Sequence, residues 1–381
     1  MVSKNILFGP KIAASPITGN EKTRELFEKA FPAFVGRQVR NGYQVIERMV
    51  KEDCAIVLSL SGAMTPADLG SSCVVPLMKA GFVDVLTTTG ANLYHDAHRL
   101  IGKELYSVDP SYSDCDYRKA NVIRVYDVGF EEDVLLDTDK LFTFLLSQPP
   151  YQRAMTTPEF HYQLGMDLAK IAEQRLGDAS KSNSLLVQAA LNKVPVFCGA
   201  PQDGSIFLNA VKLARMAALG ETEFKFSLDL ARDVYEFAAL HYYAKNYATK
   251  KLAVIVVGGG VPKNYSLQPE PTLSQILFVE TNGYDYDVQI CDTNVDNGAL
   301  SSCTAGEGHT WGKTSAECVV NSQYVHCDAT AVLPFYVHAL LQSGLRKTPR
   351  RFLEKRAEAL SLLDAAVKKK LPALRKTLEF P

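Results

Sequence analysis

One short stretch gathers residue types that could make a covalent bond to a small amine: Gly306-Glu307-Gly308-His309-Thr310-Trp311-Gly312-Lys313. A lysine attacks an imine or carbonyl only as the free amine, and burial favours that form by penalising the ammonium. Trp311, the single tryptophan of the chain, could cover the cationic methylene chain of an amine ligand. On local context alone, however, Lys313 reads as a solvated surface group. His95 and His98 could place two imidazoles on one helix face. No third ligand is evident, so an exposed or capped helix start is the simpler reading and no metal is implied.

Other candidates sit at the ends of apolar runs. Residues 55–60 lead into Ser61-Gly62-Ala63, and residues 83–86 into Thr87-Thr88-Thr89-Gly90-Ala91-Asn92. Residues 194–198 lead into a stretch containing Asp203-Gly204-Ser205, and residues 253–257 into Gly258-Gly259-Gly260. A last short run, residues 324–327, precedes Asp328-Ala329. Open parallel sheets bind ligands beyond the carboxyl ends of their strands. Small residues there let a phosphate or a nicotinamide approach the backbone, and helix-start N–H groups favour an anion. Together these exits suggest a nucleotide crevice. Each alone is weak: the glycine run lacks both the G-x-G-x-x-G spacing and the acidic residue about 20 positions on.

These residues need a frame. Residues 21–51 carry apolar side chains at helical spacing, interrupted near Pro32. A strand at 55–60, a helix at 69–80, a strand at 83–89 and a helix at 92–100 give the rhythm of a parallel sheet covered on both faces. Residues 106–118 read as a long loop. Thr157 and Pro158 signal a helix over 158–175, with Thr157 as its N-cap. Further helices are expected at 205–219, 228–246 and 330–343, and strands at 194–198, 251–257, 287–291 and 324–327. Residues 292–309 read as loop, and residues 352–375 as an amphipathic helix interrupted by Pro372. The pattern predicts one doubly wound α/β unit, with residues 1–52 as a helical N-terminal extension, 53–345 as the core and 346–381 as a C-terminal helix.

Composition narrows the function. With 47% hydrophobic and 22% charged residues the chain is an ordinary globular protein, and a net charge of −1 offers no field for nucleic acid or an anionic membrane. Residues 1–7 contain no apolar signal-peptide core. The most apolar stretch, 252–261, is too short to span a bilayer. The eight cysteines form no CxxC pair. They read as reduced thiols of a cytoplasmic protein rather than as a disulfide framework or a zinc site.

From about Cys54 to Gln342 the chain resembles the deoxyhypusine synthase family. The resemblance is carried by VDVLTTTGAN at 83–92, Asp203-Gly204-Ser205, VVGGGVPK at 256–263, Trp311-Gly312-Lys313 with Glu307 ahead of it, and His326-Cys327-Asp328-Ala329 with Leu333-Pro334 after it. It implies a Rossmann-like NAD-binding fold and a homotetramer with active sites at dimer interfaces. It also implies transfer of an aminobutyl group from a polyamine such as spermidine to an acceptor amine, with Lys313 carrying the group as an imine. By the same resemblance Thr88, Thr89, Asp203, Gly258, Gly259, Gly260 and Asp328 are the NAD contacts, and Ser205, Ser301, Glu307, Trp311 and His95 line the polyamine side. A diamine is a dication, so a carboxylate and an aromatic cover suit it.

Four positions depart from the family pattern. His95, Leu208 and Leu300 stand where the family has acids, and Asn264 stands where it has a histidine. Fewer carboxylates leave fewer partners for ammonium groups. This points away from the pairing of spermidine with a protein lysine, and towards a small-amine acceptor such as putrescine (homospermidine-type synthesis) or another donor. The competing class is a non-catalytic NAD-binding relative; a plain dehydrogenase would have no use for Lys313.

Overall fold

The strongest apolar runs become the centre of a parallel sheet. The structure is a computed structural model, and it describes residues 11–249 and 251–379; the segment read above for a signal peptide lies outside them. In chain order the strands are β1 (Ala55–Leu60), β2 (Val85–Thr88), β3 (Tyr106–Ser107), β4 (Val122–Val125), β5 (Val128–Glu131), β6 (Ala154–Met155), β7 (Val196–Cys198), β8 (Ser227–Leu228), β9 (Leu252–Val257), β10 (Tyr286–Cys291) and β11 (Ser322–His326). Six of them pair in the order β11-β10-β9-β1-β2-β7, every neighbour parallel. Numbered by appearance within this sheet the order is 6-5-4-1-2-3, the doubly wound arrangement of a Rossmann-like fold. The strand order, not the strand direction, reverses between β1 and β9.

All residues of β1, β9 and β10 are buried, because helices cover both faces of the sheet. Ile56, Leu58 and Leu60 enter one core with Leu93, Leu164, Leu168 and Val332. Ala55 and Val57 enter the other with Phe237, Leu240, Leu267 and Leu363. Each buried Leu or Phe of this kind contributes about 2 kcal/mol. The N-terminal helices Thr23–Ala30 and Phe34–Lys51, split near Pro32 as expected, reach the first core through Phe27, Tyr43 and Met49.

The structure corrects several local expectations. Residues 106–118 are not one loop: β3, β5 and β4 form a small antiparallel sheet, and Asp114–Lys119 is a helix capped by Ser113. The helix Glu132–Ser147 went unread because its apolar residues are not confined to one face; Leu136 and Phe144 are exposed. The helix Thr157–Leu176 has Thr156, not Thr157, at its N-cap. The Thr157 hydroxyl instead accepts from the Cys198 amide, 3.3 Å away. Residues 292–309 contain the turn Leu300–Ser302 and the helix Ala305–Thr310. Pro372 does not interrupt the helix Arg356–Lys376; it is exposed, so the carbonyl it leaves unpaired meets water. All eight cysteines are free thiols. Among the described residues no helix is long and apolar enough to cross a membrane.

Candidate active site

The crevice floor lies where β1 and β9 diverge. The glycine run follows β9 directly: Gly258 has φ +81°, and its amide donates to the Ile290 carbonyl at 2.8 Å. Ser61, at the exit of β1, donates its hydroxyl to the Gly259 carbonyl. A Cβ on Gly259 would stand 2.3 Å from Ser301 Oγ, so only glycine lets residue 301 pack there. Ser301 Oγ accepts the Gly260 amide at 3.0 Å, at the start of the helix Gly260–Leu267.

The β2 exit is sewn to the same floor. Thr89 donates to the Gly62 carbonyl at 2.8 Å, and its oxygen caps the helix Gly90–Leu100 by accepting the Asn92 amide. Thr88 donates to the Leu60 carbonyl at 3.2 Å and accepts from Asn92 Nδ2 at 3.1 Å. Asn92, fully buried, also accepts the Met64 and Thr65 amides at 2.7 and 3.2 Å. The Asp203-Gly204-Ser205 turn backs onto this exit: a Cβ on Gly90 would meet the Gly204 Cα at 2.5 Å. The Ser205 carbonyl accepts from Asn209, which also donates to Asp139. The exposed Asp203 makes no side-chain hydrogen bond among the described residues.

Lys313 stands beside this floor. Its ammonium donates to Asn264 Oδ1 at 3.4 Å and lies 5.8 Å from the centroid of the Trp311 ring. The backbone around it is fixed. Lys313 N donates to the Gly308 carbonyl at 3.0 Å, Tyr284 N to the Lys313 carbonyl at 3.1 Å, and His309 Nδ1 to the Thr314 carbonyl at 2.7 Å. Lys313 is half-buried rather than fully enclosed, and Trp311 is 60% exposed. Glu307 occupies the first turn of a helix capped by Thr304, with its carboxylate in solvent. Between these groups, burial raises the Cys303 thiol pKa; Lys263 and Lys313 pull it down and Glu307 pushes it up.

Two further expected residues are engaged within the chain. His95 Nδ1 is 2.8 Å from His98 Nε2, and His98 Nδ1 is 2.8 Å from Thr138 Oγ1. Burial lowers these imidazoles to about 4 and about 3, with the His95–His98 interaction adding to the effect at His98. They are packed histidines with Phe130 beside them, on a helix whose start is capped by Thr89. Asp328, at the exit of β11, caps the helix Ala329–Gln342 through the Thr330 amide at 2.8 Å. Leu208 and Leu300 are 60% and 51% exposed. Sequence reasoning did not find Lys263 and Gln289, which lie buried under the glycine run. The available signal was a glutamine and an aspartate at alternate positions of a strand that otherwise reads as fully apolar.

The family model for deoxyhypusine synthase matches residues 25–340. The chain belongs to the deoxyhypusine synthase family. Among relatives, it is 37% identical over 360 residues to a deoxyhypusine synthase-like protein of Thermosynechococcus vestitus, covering 94% of this chain and 88% of the other. It is 32% identical over 318 residues to the protein named "Probable deoxyhypusine synthase 2" in Methanosarcina mazei, covering 83% and 86%. A solved structure from Entamoeba histolytica, itself assigned as a deoxyhypusine synthase, superposes with a TM-score of 0.54 at 16% identity, covering 89% of this chain and all of that one. At that identity the superposition speaks for the fold. Deoxyhypusine synthases are transferases of aminobutyl groups, and the family is generally NAD-dependent, oligomeric and polyamine-using.

Proposed function

We propose that this chain is an NAD-dependent aminobutyl transferase in which the Lys313 amine takes up a polyamine fragment as an imine and passes it to an acceptor amine. The observation that carries the reading is the placement of Lys313: half-buried, with its amine on Asn264 and under Trp311, at the lip of a glycine floor. Lys313 Nζ attacks the electrophilic carbon of the fragment and the diamine leaves; the acceptor amine then displaces Lys313. Nζ loses one proton before the attack and a second to the leaving diamine nitrogen as the imine forms, and it regains both once the acceptor amine has displaced it. Asn264 orients the amine but has no proton to exchange at pH 7.

The floor fits a dinucleotide. Gly260 leaves open space where a side chain would stand, Gly258 and Gly259 let Ser61 and Ser301 pack close, and Asp203 offers a free carboxylate to a ribose hydroxyl. Asp328 stands at the matching exit of β11. The Thr88 and Thr89 hydroxyls are spent within the chain, so their part is to shape the floor. When bound, NAD would supply a hydride acceptor that returns the hydride at the end, so the overall transfer is redox-neutral. Ser205, Ser301, Glu307 and Trp311 would form the polyamine side, with His95 behind them as packing.

A second reading rests on the exposed Leu208 and Leu300. With apolar residues where carboxylates were expected, the rim favours an acceptor with fewer ammonium groups to satisfy, such as putrescine. Residues 1–381 would act as one unit, assembled as a homotetramer with active sites at dimer interfaces. The open Trp311, Glu307 and Asp203 support that assembly, and the free thiols suit the cytoplasm.

The test is to incubate the protein with NAD and spermidine or putrescine, reduce with borohydride, and map the adduct by mass spectrometry. The aminobutyl increment is expected on Lys313. NAD binding without an adduct from any polyamine would leave a non-catalytic relative. Adding putrescine or a protein-lysine acceptor to the charged enzyme then separates the two transferase readings.

A further inference from the structure

Lys263 is 2% exposed and sits one residue before Asn264 on the helix Gly260–Leu267. Its ammonium donates to Gln289 Oε1 at 2.8 Å, to the Ser301 carbonyl at 3.5 Å and to the Cys303 carbonyl. Gln289 in turn donates from Nε2 to the Gly258 carbonyl at 2.9 Å and to the Ser301 carbonyl at 2.6 Å. Asp287, on the same face of β10, is a buried carboxyl raised to about 6 by burial and pulled back by the charge of Lys263. Burial lowers the Lys263 pKa, and Asp287 is the first group opposing it. Every acceptor of these two side chains therefore belongs to the elements that wall the glycine run, and none to the distant core helices.

We propose that Lys263 and Gln289 form a positioning clamp that holds residues 292–303, and with them Ser301, against Gly258–Gly260 and fixes the helix turn that presents Asn264 to Lys313. Neither side chain touches a reacting atom; both act through Ser301 and Asn264. An ammonium suits the task because one group satisfies three oxygens at once, and an apolar residue would strand Gln289 Oε1 and the Cys303 carbonyl, leaving Ser301 to Gln289 alone. The role in cofactor affinity rests on the dinucleotide reading of the floor, but the mechanical role does not.

The test uses the full-length chain and three variants: Lys263→Met, Gln289→Glu and their combination. Gln289→Glu keeps an acceptor for Lys263 and replaces the donor to Gly258 and Ser301 with a carboxylate oxygen that repels both carbonyls, so it remains informative if Lys263→Met does not fold. Hydrogen exchange without ligand is expected to speed up about ten-fold in residues 292–303 of either single variant, while β1 and β9 keep their protection. The Kd for NAD, by calorimetry, is expected to rise about ten-fold in each, with the double variant no worse than the weaker single by more than about two-fold. Unchanged exchange in residues 292–303, or acceleration spread evenly over the sheet, overturns the clamp. If the unsubstituted protein binds no NAD, the dinucleotide reading fails while the exchange result still decides the clamp.

Discussion

At the amino edge of the parallel sheet, Asp84 accepts the Ile56 amide at 2.8 Å and faces Arg350 at 3.0 Å and Lys347 at 3.5 Å. Asp285 pairs with Lys245 at 2.5 Å while accepting the Leu252 amide at 2.8 Å, and Glu52 pairs with Lys251 at 2.5 Å. At the carboxyl edge, Asp203, Glu307 and Lys313 have no ion-pair partner among the described residues. The edges share strands and layers but differ in whether charge is matched. Matched charge at the amino edge ties strand starts to neighbouring segments, the C-terminal connection among them. Unmatched charge at the other edge is what a charged ligand needs to find.

The sharpest break in this comparison is at Lys313. Lys313→Arg should abolish the borohydride-trapped adduct and lower transfer by at least about a thousand-fold, because a guanidinium does not form the imine. Its melting temperature should stay close to that of the unsubstituted protein. A trapped adduct elsewhere on the variant would move the nucleophile.

The converse change is Asp84→Ala. It leaves the buried Lys347 ammonium, whose pKa burial already lowers, with only the exposed Asp53 carboxylate at 3.9 Å. Chemical denaturation should show a loss of about 3 kcal/mol, with the Lys313 adduct still forming below the new transition. Loss of the adduct at full stability would show the edges to be coupled.

A titration tests the region between the edges. His95 and His98 lie on a helix that starts at the carboxyl edge, yet they are packed like structural groups. Their folded pKa values, about 4 and about 3, lie below the unfolded value. As pH falls below about 6.5, the unfolded chain takes up protons that the folded chain refuses, so stability drops by up to about 1 kcal/mol per pH unit for each histidine. Asp96, Asp233 and Asp287, each raised to about 6 mainly by burial, act oppositely and add stability as pH falls from there towards 4. The readout is therefore a difference: His98→Gln should lose less stability than the unsubstituted protein between pH 7 and pH 5. An identical acid limb in both proteins would show that His98 is protonated in the fold.

The smallest effect is expected at Trp311. An exposed cation–π cover is worth about 0.5–1 kcal/mol, so Trp311→Ala should weaken polyamine binding by about two- to five-fold at constant melting temperature. A hundred-fold loss would mean that the ring is enclosed in the working assembly.

What the sequence made legible follows from the same contrast. Residues 55–60 and 252–257 announced central strands because both their faces are covered, and the Gly, Ser and Thr exits announced the floor. The small sheet around β5 was hidden because β3 is two exposed residues and β4 four partly exposed ones, too short for a period to register. The clamp was hidden for another reason. Lys263, Asp287 and Gln289 are polar letters whose burial depends on a loop folding over them, and no local pattern reports that. Asn264 read as the loss of a histidine, yet its amide holds the Lys313 amine.

The near-contact of Gly90 with Gly204 has one further implication. Two loops from distant parts of the chain meet there backbone to backbone, so no side-chain exchange can adjust the fit between them. Variation is therefore displaced outward, to positions such as Asp203, Leu208, Leu300 and Glu307, whose side chains are exposed. A chain built this way can change its exposed side chains without relearning how to fold.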